Sequence, residues 1–192
     1  RDDAALRFSV RDKDVIFNLA AQVSYIDSVS DPILDLDINC RGHLMLLEQC
    51  RQQGRTPRIV FSSSRMVYGR TLRNPVSESH RTDPLMPYAV HKLAAEKYYL
   101  MYDANHGIRS VIARIANPYG PRQQMKHSKY GIVNWFIRLA LEGQSIKVFG
   151  NGGQKRDYVF VEDIADALIS LSMTDRADGE VFNIGSGQST AF

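Results

Sequence analysis

The chain has 192 residues, 24 Lys and Arg against 21 Asp and Glu, and a formal net charge of +3. Hydrophobic residues make up 44% and charged residues 23%, which excludes a disordered chain and fits one globular domain, or one large domain cut short. The basic residues are scattered and no apolar run approaches the roughly 20 residues that cross a bilayer, so neither nucleic acid nor membrane is an expected partner.

The start, Arg1-Asp2-Asp3, is charged and lacks the apolar core of a signal peptide. Residues 15–21 (VIFNLAA) read as a buried strand. Asp31 and Pro32 then open a helix as N-cap and first-turn residue, and Gly54 ends it. Ile33, Leu36, Cys40, Leu44 and Leu47 fall at three- and four-residue spacing and predict its apolar face. Cys40 and Cys50 lie ten residues apart on that helix, about 15 Å along its axis, too far for a disulfide. A reducing, cytoplasmic setting is the default.

Arg58–Ser64 (RIVFSSS) is the next strand, apolar at its start and hydroxyl-rich at its end. A proline-containing polar loop leads to Pro87, which opens a helix to about residue 105, closed by His106-Gly107. Residues 110–116 (SVIARIA) predict a third strand, ending in Asn117-Pro118-Tyr119-Gly120-Pro121. A helix over 132–142, a short strand over 146–149, a helix over Val161–Ser172 and a strand over Val181–Ile184 follow. Strands alternating with amphipathic helices predict a parallel α/β sheet. In such sheets ligands sit beyond the carboxyl ends of the strands. Here those ends carry Ala20-Ala21, Ser62-Ser63-Ser64 and Asn117.

Tyr88 and Lys92 are four residues apart on one helix and share a face. A free phenol titrates near pH 10, so about 4 kcal/mol of differential stabilisation would bring it to neutrality. A neighbouring ammonium acts in that direction. The five histidines show no metal-ligand spacing, so no metal is expected.

The runs VIFNLAA, FSSSRMVYG, PYAVHK, ARIANPYGPRQ, VFGNGGQKRDYVFVEDIADA and FNIGSG cover nearly the whole chain. In kind, order and spacing they resemble the extended short-chain dehydrogenase/reductase family, the NAD-dependent epimerases and dehydratases of sugar nucleotides, closest to the UDP-glucose 4-epimerase branch. The resemblance implies a Rossmann-like, doubly wound parallel sheet. It makes Ser64, Tyr88 and Lys92 catalytic, with NAD as cofactor. It places Ala20, Ala21, Asn39, Ser62 and Ser63 with Tyr88 and Lys92 at the cofactor, and Asn117, Phe149 and Arg156 with Ser64 and Tyr88 at a nucleotide-diphosphate sugar. A homodimer through the helices that start at Asp31 and Pro87 is implied as well.

The family's glycine-rich dinucleotide turn is missing from these 192 residues. The resemblance therefore implies a single partial domain over 1–192, lacking the N-terminal strands and part of the C-terminal substrate lobe. Residues to about 120 correspond to the later part of the NAD-binding core, and 121–192 to part of the substrate-binding region. Family dehydratases carry an Asp-Glu pair after the catalytic hydroxyl, where this chain has Arg65 and Met66. The expected activity is epimerisation at sugar C4. UDP-glucuronate decarboxylation, another epimerisation and a non-catalytic dinucleotide-binding regulator are the alternatives.

Overall fold

The computed structural model describes residues 2–191. Asp2 caps a first helix, α1 (Asp3–Val10), which packs on the later helix over Gly42–Gln52 and buries Val10. β1 (Val15–Asn18) is shorter than expected; residues 19–24 leave the sheet as irregular backbone. α2 (Tyr25–Ser30) is capped by Ser24. Asp31 caps α3 (Pro32–Leu36), accepting from the Leu34 N–H at 3.0 Å. A π turn (Asp37–Arg41) joins α3 to α4 (Gly42–Gln52) without a break. β2 (Arg58–Ser64) and α5 (Pro87–His106, ended by Gly107 at positive φ) follow. Then come β3 (Ser110–Ile115), β4 (Asn117–Tyr119), α6 (Ile132–Leu141), β5 (Arg156–Phe160), α7 (Val161–Ser172), β6 (Val181–Ile184) and β7 (Ser189–Thr190).

The main sheet runs β1-β2-β3-β6, all parallel. Its two faces are filled by alternate residues of β2, as the two-residue period of a strand requires. Ile59 and Phe61 enter one core with Leu47, Tyr99 and Ile112, under α4 and α5. Val60 enters the other with Ala113, Ile164 and Leu168, under α7. Each such side chain contributes about 1.5–3 kcal/mol by leaving water. Helices on both faces make the sheet doubly wound, as expected. A small second sheet, β4-β5-β7, stands beside the carboxyl ends of the first. β6 and α7 lie late in the chain but belong to the main sheet, pairing with β3 and packing on β2 and β3.

Two expectations fail. Residues 146–149 form no strand, and Phe149 is 69% exposed on irregular backbone. The predicted apolar face also does not hold through α3: Ile33 is 70% and Leu36 40% exposed, while Asp35, and Asn39 on the π turn after it, are buried. α3 turns its polar side toward α5 and the cleft, and periodicity alone cannot tell which neighbour a helix face meets. Cys40 and Cys50 are buried and free, and burial pushes the Cys50 thiol up to about 11. No helix among the described residues is long and apolar enough to cross a membrane.

Candidate active site

At the end of β2 the chain tightens into a 3₁₀ turn, Arg65–Tyr68. Ser64 caps it, its hydroxyl accepting from the Met66 N–H at 3.2 Å. Gly69 leaves the turn at φ 64°, where a Cβ would sit 1.8 Å from the Asp83 carbonyl oxygen. Only glycine fits that close approach. The turn brings Ser64 beside Tyr88 of α5: both line one cavity, and the Ser64 hydroxyl acts on the phenol as a stabilising neighbour.

Tyr88 is 8% and Lys92 2% exposed. The Lys92 ammonium donates to the Ser62 carbonyl at 2.8 Å and lies 4.7 Å over the Phe61 ring. Burial lowers its pKa to about 8, against the raising effect of Asp35 and Glu96. Burial holds the Tyr88 phenol above its ordinary value, and the Asp35 charge pushes the same way. The Ser64 hydrogen bond and the Arg65 guanidinium pull it down. The cation facing the phenol in this structure is thus Arg65, where the helical spacing pointed to Lys92. Spacing placed both residues on one face, but the ammonium is engaged with β2.

Ser64 and Tyr88 line a cavity of about 360 Å³ with Val23, Tyr130 and Tyr158. A second cavity of about 710 Å³ adjoins it, carrying Arg70, Arg114, Lys155 and Arg156. Arg65, Ala116 and Asn117 line both. Asn117 is held at both ends of its amide: it accepts from Arg65 Nε at 3.1 Å and donates to the Asp157 carbonyl at 2.8 Å. The junction therefore pairs a fixed amide with guanidinium groups, a donor set suited to a diphosphate. Arg65 was not singled out as a site residue by sequence. Its position directly after a strand-end hydroxyl was the available signal.

The other predicted residues divide. Ala20 and Ala21 lie on the irregular segment after β1. Asn39 does not line either cavity; fully buried on the π turn, it holds Gln22 through both backbone groups, at 3.2 and 2.8 Å. Ser62 meets Lys92 through its carbonyl. Ser63 lines the smaller cavity, but its hydroxyl donates to the Glu96 carboxylate beneath the sheet. Glu96 is in turn paired with Arg114 at 2.6 Å, both within 5% of full burial. Arg156 lines the larger cavity, and Phe149 neither. Among the described residues no cluster of three His, Cys, Asp or Glu is placed to hold a metal.

These residues fit one end of a dinucleotide. The buried Lys92 ammonium and the Gln22 backbone clamped by Asn39 suit a ribose and its attached ring. The helix-opening glycine turn that receives a pyrophosphate has no counterpart in this chain.

A family model described as the NAD dependent epimerase/dehydratase family matches residues 1–185. The chain belongs to this family. The UDP-glucose 4-epimerase of Mycolicibacterium smegmatis is 39% identical over 178 residues, which are 93% of this chain and 56% of that protein. Two solved structures of epimerases are similar throughout. The UDP-glucose 4-epimerase of Thermotoga maritima, solved with UDP-glucose, has a TM-score of 0.92 and 35% identity, covering 99% of this chain and 62% of its own. The UDP-N-acetylglucosamine 4-epimerase of Methanobrevibacter ruminantium, solved with UDP-N-acetylmuramic acid, has a TM-score of 0.93 and 33% identity, covering 98% and 60%. The chain thus spans little more than half the length of its epimerase relatives.

Proposed function

We propose that the full-length protein is an NAD-dependent nucleotide-sugar 4-epimerase of the UDP-glucose/UDP-galactose type. The observation that carries this reading is the Ser64–Tyr88 pair, lining together a cavity that meets a basic one at Arg65 and Asn117. The Tyr88 phenolate oxygen takes the proton of the sugar 4-hydroxyl, while Ser64 donates to that same oxygen. Arg65 and, before the sugar takes its proton, the Ser64 hydroxyl stabilise the phenolate against the cost of its burial. Lys92 holds the ribose next to the reacting ring. NAD, when bound, supplies the hydride acceptor and a cationic ring. Asn117 and Arg156 would hold the diphosphate and leave the sugar ring free to turn and present its other face to the cofactor. Met66 and Arg65 stand where a dehydratase needs acids, which supports epimerisation over elimination.

Two copies would pair through α2, α3 and α5, where Val29, Ile33 and Val90 are 60, 70 and 45% exposed. Light scattering on the full-length protein tests this; a monomer at micromolar concentration rejects it. Buried, unpaired Cys40 and Cys50 suit a cytoplasmic setting.

The test of activity incubates the purified full-length protein and NAD with UDP-glucose, UDP-galactose, their N-acetylated counterparts and UDP-glucuronate. A C4-epimer of a neutral sugar is the expected product and identifies the sugar class. Loss of carbon dioxide from UDP-glucuronate alone would replace this reading with decarboxylation. Silence on all five, with NAD bound, would favour another nucleotide or a regulator.

A further inference from the structure

Beside the catalytic helix lies a buried carboxylate that the reaction above does not use. The Asp35 side chain on α3 is 0% exposed. One oxygen meets His91 Nδ1 at 2.6 Å, and the other accepts from Asn39 Nδ2 at 2.8 Å. Asn39 in turn holds both backbone groups of Gln22. His91 immediately precedes Lys92 on α5. One carboxylate therefore ties the catalytic helix to the segment that follows Ala20 and Ala21.

The placement is costly, because a buried carboxylate loses several kcal/mol of hydration unless it is paired and hydrogen-bonded. Its surroundings show where that charge acts. Asp35 is faced from α5 by His91, Lys92 and Tyr88, and from the π turn by Asn39. Lys92 is faced by Asp35 from α3, by Glu96 from its own helix and by His43 from α4, while β2 offers the Ser62 carbonyl and the Phe61 ring. Glu96 is committed to Arg114 and Ser63. His43 is neutral, since burial lowers its pKa to about 3. Asp35 and Glu96 both favour the charged ammonium, and of the two it is Asp35 that also reaches the 20–22 segment, through Asn39.

We propose that Asp35 is a positioning residue of the epimerase reaction: it keeps Lys92 charged and, through Asn39, sets the cofactor-lining segment, with His91 as its tether to α5. The proposal rests on the reading of Tyr88 and Lys92 as catalytic.

The test measures kcat/KM against pH in the full-length protein. Asp35→Asn preserves shape and removes charge. The ammonium loses a favourable neighbour, so the alkaline limb moves down by about half to one pH unit. His91→Leu leaves the carboxylate to Lys92 and Asn39, so the limb moves up by a few tenths of a unit. Opposite shifts from two changes around one carboxylate are the expected result. A purely structural Asp35 would lower the melting temperature of both variants and leave both limbs at the wild-type pH, which overturns the proposal. If Asp35→Asn does not fold, His91→Leu decides alone, and an unmoved or lowered limb rejects the idea. Tyr88→Phe is the control: retained turnover there sinks the catalytic reading itself, whereas loss there with unmoved limbs sinks only the role of Asp35.

Discussion

The two walls of the cleft are built by different means. The wall from β2 and α5 sets Tyr88 and Lys92 among fully buried neighbours, over the Glu96–Arg114 pair and the stacked Phe61 and Tyr99 rings. The wall from β4, β5 and the stretch between them is made of short elements and half-buried side chains such as Asn117, Arg156 and Tyr158. A proton acceptor needs its position held to a fraction of an ångström, which burial and hydrogen bonding on regular elements provide. A phosphate-binding wall tolerates more freedom, because long cationic side chains reach an anion from many geometries. The difference predicts that changes in the first wall act on kcat or on stability, and changes in the second on KM.

The largest test is Tyr88→Phe in the full-length protein. It should lower kcat by about 10²–10⁴, the usual worth of a positioned general base, with the fold unchanged by circular dichroism. Glu96→Ala strands a buried guanidinium and should cost about 3–5 kcal/mol in chemical denaturation. A loss below 1 kcal/mol would show that the first wall does not depend on this pair.

Lys92→Met sharpens the comparison by separating chemistry from stability. A lysine whose folded pKa, about 8, lies below its ordinary 10.5 destabilises the fold wherever it is charged. The wild-type fold should therefore gain stability between about pH 8 and 10.5, where only the unfolded chain carries this proton. Lys92→Met should raise stability at pH 7 by roughly 1–3 kcal/mol while removing most turnover. The smallest effect belongs to the second wall. Arg156→Ala should raise the KM for the nucleotide sugar about 10–100-fold, at near-normal kcat and melting temperature, since one charge-assisted contact is worth about 1.5–3 kcal/mol. A fall in kcat of the same size would erase the distinction between the walls.

Much of the frame was legible because local chemistry and tertiary need agree there. Arg58–Ser64 is a strand from its β-branched run, and Pro87 and Gly107 bracket a helix by their own backbone preferences. The Tyr88–Lys92 spacing and the strand-end hydroxyl of Ser64 marked the site before any fold was known. Where a polar residue serves a distant partner, the pattern misleads. Ile33 and Leu36 read as a buried stripe, yet α3 buries Asp35 for His91 and the π turn buries Asn39 for Gln22, partners 56 and 17 residues away. Ser63 and Ser64 are neighbours of one residue type, and only the alternation of β2 sends one hydroxyl to Glu96 and the other to Tyr88.

The amino-acid sequence by itself determined the parallel α/β order and the helix ends, which follow from interactions within a few residues, and put Tyr88 and Lys92 on one helix face by their spacing. The tertiary structure alone decided which cation faces the Tyr88 phenol, which serine reaches it, and that a buried Asp35 stands behind Lys92. Those outcomes depend on charge and burial summed over α3, α4, α5 and β2. Electrostatic energy in a low-dielectric interior is set by distances between groups far apart in the chain.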